Sequence, residues 1–250
     1  MSALRVERDG SVLRIALARP ERRNAFDAAL IAELTGAFAD VGDVRAVVLT
    51  GDGPSFSAGA DVEWMRSSAE LSYEENVADA LRLRAMLDAI DSCPAPVVAG
   101  VQGHALGGGC GLVACCDIVV AVSGTQFAFS EVKLGIVPAV ISPFALAKIG
   151  SSAARRYFVT GERFSAEVAL RIGLVHELAD ELASAVDRVV GELLSAGPEA
   201  ARAAKALARA PLSAQETAEH IATHRTSAEG QEGLRAFLEK RAPGWTALDG

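Results

Sequence analysis

Apolar positions along the first 150 residues switch repeatedly between a period of two and a period near 3.6. Residues 4–19, LRVERDGSVLRIALAR, alternate about Asp9-Gly10, which predicts two strands joined by a hairpin. RPERRNAF then reads as a basic, turn-rich loop, and from Asp27 the residues Leu30, Ile31, Leu34 and Phe38 recur at helical spacing. RAVVLTG (45–51) is a β-branched run ending at glycine, as a buried strand would be, and DGPSFSAGAD follows as a loop of small residues. A long helical stretch carries Val77, Leu81, Met86, Leu87 and Ile90 on one side and stops before Cys93-Pro94. PVVAGVQG is another buried strand, and Gly107, Gly108 and Gly109 lead into the next helix. DIVVAV and TQFAFS predict two further strands, and PAVISPFALAKIG a helix with Pro138 at its start. From about Ser151 the patterns are helical: SAEVALRIG with Ser165 as N-cap, 183–194, 198–209 opened by Pro198, and 213–239.

Strands alternating with helices predict an α/β core with parallel strands, closed by a helical segment. No Pro/Ser linker separates the two parts, and the strand–glycine–helix arrangement occurs twice, in AVVLTG…FSAGADVEWM and PVVAGVQGHALGGGCGL. Composition narrows the function classes. The chain has 250 residues, 50% of them apolar, which is ample for a large core. A net charge of -8 argues against a general nucleic-acid or anionic-membrane binder. Cys93, Cys110, Cys115 and Cys116 form no C-x-x-C pair, and MSALRVERDGSVLRI lacks an apolar core, so neither signal peptide nor anchor is expected. No run offers the ~18 apolar residues of a membrane span. The expectation is a soluble, cytoplasmic protein with reduced thiols.

The glycine triplet fails three familiar tests. A G-x-G-x-x-G fingerprint would need glycine where Leu112 stands; no Gly-Lys pair supports a P-loop; and Gly53-Pro54-Ser55-Phe56 is followed by Ser57, not glycine. What remains is a backbone N–H near a helix N-terminus, able to stabilise an anion or the oxyanion of a carbonyl. Ser57-Ala58-Gly59-Ala60-Asp61 offers the same feature after the preceding strand. The plain alternative is that the glycines only let helix and sheet pack closely. TQFAFSEVKLGIVPAVISP adds one carboxylate, Glu131, in an apolar run. Strand alternation would put it on the face of Phe127 and Phe129, where desolvation raises its pKa toward general acid/base use; the plain alternative is an exposed glutamate at a strand end.

SFSAGADVEWM, GHALGGGCGLVACCDIVVA and FAFSEVKLGIVPAVISPFALAKIG together resemble the crotonase (enoyl-CoA hydratase/isomerase) superfamily, over essentially the whole chain. The resemblance implies a crotonase-type spiral of ββα units, residues 1–195, and a helical C-terminal trimerisation segment, residues 196–250, in a homotrimer or dimer of trimers. It also implies an acyl-CoA thioester substrate, coenzyme A being part of that substrate and no further cofactor or metal being required. The two amides of the oxyanion hole map to Ala60 and Gly108, and the catalytic carboxylate to Glu131. Arg22, Arg23, Ala25, Ala58, Asp61, Val62, Gly107, Gly111 and Lys240 map to substrate and CoA contacts, with Asp61 also suited to capping the helix after Ala60.

One departure matters. Hydratases of fatty-acid oxidation in this family hold water between two glutamates, and where one of them follows GGGC this chain has Gly111. The wording is most similar to methylglutaconyl-CoA hydratase-like members, which points to hydration of a branched or glutaconyl-type enoyl-CoA. A Δ-isomerase using one glutamate, or a catalytically weak CoA-binding protein, stays open. A glutamate at position 111 is expected to speed straight-chain hydration if its side chain fits, and a valine at 108 to leave the chain folded in bulk while reducing turnover. His104 reads as loop packing and His220/His224 as a solvated face, since HIATH lacks the Glu of H-E-x-x-H. The cysteines read as core, Asp117 as a turn anchor, and Arg241 as a further charge near the CoA.

Overall fold

The computed structural model describes residues 2–209 and 211–247. Strands β1 (Leu4–Asp9) and β2 (Val12–Leu17) form the expected antiparallel hairpin, with Gly10 at φ 56° in the turn. Helix α1 (Ala28–Ala39) starts at Asp27, whose side chain accepts from the Leu30 amide. Strand β3 (Ala46–Gly51) leads into a loop, then α2 (Val62–Ser68) and α3 (Tyr73–Asp91). Next come β4 (Val97–Val101), β5 (His104–Leu106), α4 (Gly108–Cys115), β6 (Ile118–Val122) and β7 (Gln126–Ala128). The remainder is α5 (Ser142–Thr160), β8 (Phe164–Ser165), α6 (Ala166–Arg171), β9 (Glu177–Ala179), α7 (Leu182–Ser195), α8 (Pro198–Leu207), α9 (Ala214–Thr226) and α10 (Ala228–Glu239).

One six-stranded sheet runs β1-β2-β3-β4-β6-β9, parallel from β2 onward, and a second sheet has the order β5-β7-β8. The chain therefore steps from the large sheet to the small one twice, β4 to β5 and β6 to β7, before a helical segment returns it. A single bridge, Ser57 to Ala105, begins the same step after β3. Both faces of the large sheet are covered, which is why its central strands are continuously apolar rather than alternating. Leu13, Val47, Val97 and Val119 face the core with α1, α3 and α4, while Val12, Val48, Val98 and Val120 pack under Val186, Val189 and Val190 of α7.

Four expectations change. TQFAFS is a strand only to Ala128, and Glu131 opens a short 3-10 helix, Glu131–Leu134, so alternation does not set its direction. Pro138 does not start a helix; α5 begins at Ser142 with Pro143 in its first turn, runs to Thr160, and breaks at Gly150 (φ 67°, ψ 166°). On α3 the buried stripe is Asp79, Met86, Leu87 and Ile90, whereas Val77 and Leu81 are exposed. The 213–239 pattern is two helices, because Ser227 (φ -67°, ψ 161°) ends α9 and caps α10. Positions 210 and 248–250 of the 196–250 segment lie outside the described residues.

Asp117 fastens the C-terminal helices to the sheet. Its carboxylate accepts from the Val97 amide at 2.8 Å and pairs with Lys205 of α8 at 2.6 Å. Lys205 is nearly buried and also donates to the Ala95 carbonyl. Losing one partner of such a pair strands the other charge. Asp117→Ala is expected to cost roughly 2–3 kcal/mol, below the full value for a buried pair because Asp117 keeps some solvent contact. A urea midpoint lowered at unchanged slope is the expected reading; an unmoved midpoint would show that this anchor is dispensable.

Candidate active site

Each glycine around 107–111 is required by a different neighbour. Gly107 adopts φ 52° and ψ -122°, outside what side chains tolerate, and turns the chain from β5 into α4. A Cβ on it would lie 3.4 Å from Glu131 Oε1. On Gly108 a Cβ would fall 2.2 Å from the Phe26 ring, which is fully buried. On Gly109 it would meet the Ser57 carbonyl at 2.6 Å. The triplet is thus a three-way backbone junction of β5–α4, the 55–60 loop and Phe26. Gly108→Val therefore displaces a core aromatic, so the expectation of an intact fold does not hold.

That junction leaves the amides of Ala60, Gly108 and Gly109 without acceptors among the described residues, and the first two border a cavity. Gly59 donates to Ser57 Oγ, Asp61 donates to the Phe26 carbonyl, and Gly107 donates to the Ala128 carbonyl. Ala60 and Gly108 donate to nothing among the described residues. Gly108 is the first residue of α4, where amides have no intrahelical partner. The two lie close, because a Cβ on Gly59 would be 3.3 Å from the Gly108 nitrogen. Asn24 locks the loop from below: its fully buried side chain donates to the Asp52 and Ser55 carbonyls and accepts from the Arg19 amide.

Both residues border a cavity of about 330 Å³, together with Phe26, Ala58, Trp64, Gly107, Glu131 and Ile141. Glu131 shares this cavity wall, its Oε1 lying 3.4 Å from where a Cβ on Gly107 would be. Its Oε2 is buried without a hydrogen-bond partner, and burial raises its pKa above the ordinary carboxylate value. Asp61 behaves oppositely: burial pushes its pKa up, but the amides of Glu63 and Trp64 and the Arg22 guanidinium outweigh that and hold it low. It caps α2, directly after Ala60.

The cavity brings together Ala58, Ala60, Gly107, Gly108 and Glu131. The other candidates lie outside its lining. Arg22 pairs with Asp61 at 3.1 Å, Arg23 accepts the Ala58 amide on its carbonyl, Ala25 is buried, and Val62 is exposed on α2. Lys240 ends α10 in a left-handed conformation, and Arg241 is engaged by Glu232 and Glu239. His104 meets Ser55 at 3.4 Å, and no group of three or more metal-binding side chains occurs among the described residues. The four thiols are buried, which raises their pKa values. Sequence reasoning missed Ile141, Trp64 and Asp79, all of which line the cavity. Asp79 could have been found, since it stands eight residues before Leu87 on the buried stripe of α3.

Gly111 is also outside the lining. A Cβ on it would sit 2.5 Å from Ile141 Cγ2 and 3.7 Å from Leu87 Cδ2. Ile141 occupies the room a side chain at 111 would need.

The profile of the family described as Enoyl-CoA hydratase/isomerase matches residues 7–247. The chain belongs to this family. It is 32% identical to the crotonyl-CoA hydratase of Syntrophomonas wolfei, over 94% of this chain and 95% of that one. It is 35% identical to the 2,3-dehydroadipyl-CoA hydratase of Escherichia coli, over 97% and 98%. An enoyl-CoA hydratase structure from Shewanella pealeana superposes with a TM-score of 0.91 at 40% identity, covering 97% and 96% of the two chains. AtuE of Pseudomonas aeruginosa gives 0.93 at 36% identity, covering 98% and 99%. The two-sheet α/β architecture is the crotonase fold.

Gly111→Glu alone should fold poorly, because Ile141 leaves no room for the side chain whose fit the hydration expectation required. Gly111→Glu with Ile141→Ala removes the clash. The double variant should recover melting temperature over the single one; equal melting temperatures would show that Ile141 is not what excludes a side chain at 111.

Proposed function

We propose that the protein is an enoyl-CoA hydratase with a single acid/base. Its carrying observation is the half-buried Glu131, its Oε2 buried and unpartnered, in one cavity with two acceptor-free amides. A thioester oxygen received by Ala60 and Gly108 would gain charge as its acyl group becomes an enolate, and fixed amides favour that charge without reorganising. Glu131 takes a proton from water as the water oxygen bonds the β-carbon. It then returns that proton to the α-carbon as the enolate collapses to the thioester. The steps need amides and a carboxylate only, with coenzyme A as part of the substrate. Arg22, Arg23 and Lys240 are assigned to the CoA, and the apolar wall of Leu134, Ile136, Val137 and Ile141 suits a branched acyl group.

A second reading has its own support. Ile141 fills the place from which a second carboxylate at 111 would hold water, and a single glutamate also suffices for a Δ-isomerase, which moves a proton between carbons. Heavy-oxygen water separates them: hydration puts label in the product, isomerisation does not.

Glu131→Gln keeps size while removing the titrating group. A fall in kcat of about 10²–10⁴-fold with acyl-CoA affinity largely retained is expected. Turnover within a few-fold of wild type would overturn the mechanism. The same substitution should stabilise the fold. A carboxylate whose folded pKa exceeds its unfolded value loses stability as pH rises from the unfolded toward the folded pKa. Glutamine escapes that loss, so its gain in melting temperature should be larger at neutral pH than near pH 4. Equal gains at both would remove the burial argument.

We further assign the C-terminal helices to trimer or hexamer contacts. Ile221, Leu234, Phe237 and Leu238 are exposed on α9 and α10, and grouped exposed apolar side chains mark interaction sites. Light scattering should show three or six chains per particle; a monomer at micromolar concentration would defeat this assignment.

A further inference from the structure

Glu131 is not the only carboxylate in the cavity wall; Asp79 is the other. It lies on the buried stripe of α3, with 8% of its surface exposed. Among the described residues its single hydrogen-bond partner is Arg82, which reaches Oδ1 at 2.8 Å from a side chain that is itself 59% exposed. A carboxylate offers about four acceptor sites. Here Oδ2 is left with no protein donor.

The position along α3 fixes what Asp79 can meet. Leu87 packs where Gly111 begins, one turn into α4 beyond Gly108. Asp79 precedes Leu87 by two helical turns, about 12 Å along the axis. Leu83, between them on the same face, lines the cavity too. The groups around Asp79 cannot satisfy it. Ser68 already donates to the Met65 carbonyl, and the Asn76 amide donates to the carbonyls of Leu71 and Ser72. Ala80, Met65 and Leu83 are apolar. The part of the cavity lined by α2 and α3 is therefore largely apolar, with Asp79 as its one charged acceptor beside the neutral Ser68 and Asn76 side chains.

We propose that Asp79 is a specificity-determining residue that takes a hydrogen-bond donor, a hydroxyl or amino group, on the acyl chain remote from the thioester. This inference rests on the enoyl-CoA reading above. A terminal carboxylate would instead meet a like charge in a partly desolvated wall, which disfavours glutaconyl-type acyl groups. A hydroxyl gains a charge-assisted bond, and such a bond favours its ligand by about tenfold or more.

The test uses the full-length protein and enoyl-CoA thioesters in a chain-length series, ending in methyl, hydroxyl or carboxylate. Turnover is measured on each, and dissociation constants are measured calorimetrically on the saturated counterparts. Wild type should prefer a hydroxyl over a carboxylate terminus by about tenfold or more at one chain length. Asp79→Leu should collapse the ratio to within about twofold, and Asp79→Asn should keep part of the hydroxyl preference while admitting the carboxylate. No preference in wild type, a preference for the carboxylate (the result if Arg82 swings onto it), or a ratio unchanged in both variants overturns the assignment. Thioesters that bind with the hydroxyl preference but are not turned over would leave Asp79 assigned and defeat the hydratase reading. Turnover without preference would do the reverse, and absence of binding by any thioester would defeat both.

Discussion

The close approach of three backbones, at Gly59, at Gly107–Gly109 and at the Phe26–Asp61 crossing, is the constraint on which the site depends. It aligns two amides that the fold cannot satisfy. The Phe26 amide bonds the Gly59 carbonyl and the Asp61 amide bonds the Phe26 carbonyl, so Ala60 between them is turned away from Phe26. Gly108 opens a helix whose first-turn amides have no internal acceptor. An unmade hydrogen bond is costly in a buried place. Here the cost is held by the surrounding packing rather than by flexibility, because Phe26, Ser57 and Asn24 are each fully buried against the junction.

The same packing explains Glu131. The Gly107 amide bonds the Ala128 carbonyl, which ties the start of α4 to the end of β7. Three residues later the chain turns into a 3-10 helix, and Glu131 stands against Gly107, just before α4. Its carboxylate is desolvated by the very elements that free the two amides. A donor pair and an elevated carboxylate are thus two consequences of one junction, and Ile141 on the opposite wall keeps Gly111 from adding a second charge beside them.

Stability and chemistry are divided between the two sheets. The large sheet is sealed on one face by α7 and on the other by α1, α3 and α4, and Asp117 with Lys205 ties α8 to it. The small sheet, β5-β7-β8, carries the site, and Phe127, Phe129, Phe158 and Phe164 pack behind it. The segment 133–137 stays open to solvent while Leu134, Ile136 and Val137 also line the cavity. The acyl wall is therefore the least buttressed part of the site.

Periodicity in the sequence was enough for the hairpin, the apolar central strands and α1, because burial on both sides of a parallel sheet and the 3.6-residue stripe of a helix leave direct traces in residue order. The glycine motifs and the lone Glu131 were legible for the same reason: backbone exposure and a carboxylate in an apolar run are local properties. What residue order could not show was anything made by two distant segments. Strand alternation pointed Glu131 correctly into apolar surroundings but by the wrong route, since the strand ends at Ala128 and a 3-10 turn aims the side chain. The clash partners of Gly108 and Gly111, Phe26 and Ile141, lie 82 and 30 residues away in sequence, so only the folded chain reveals why those glycines exclude a side chain. Asp79 shares the helical spacing of Leu87, but the cavity it borders was decided by how α3 packs against α1 and α4.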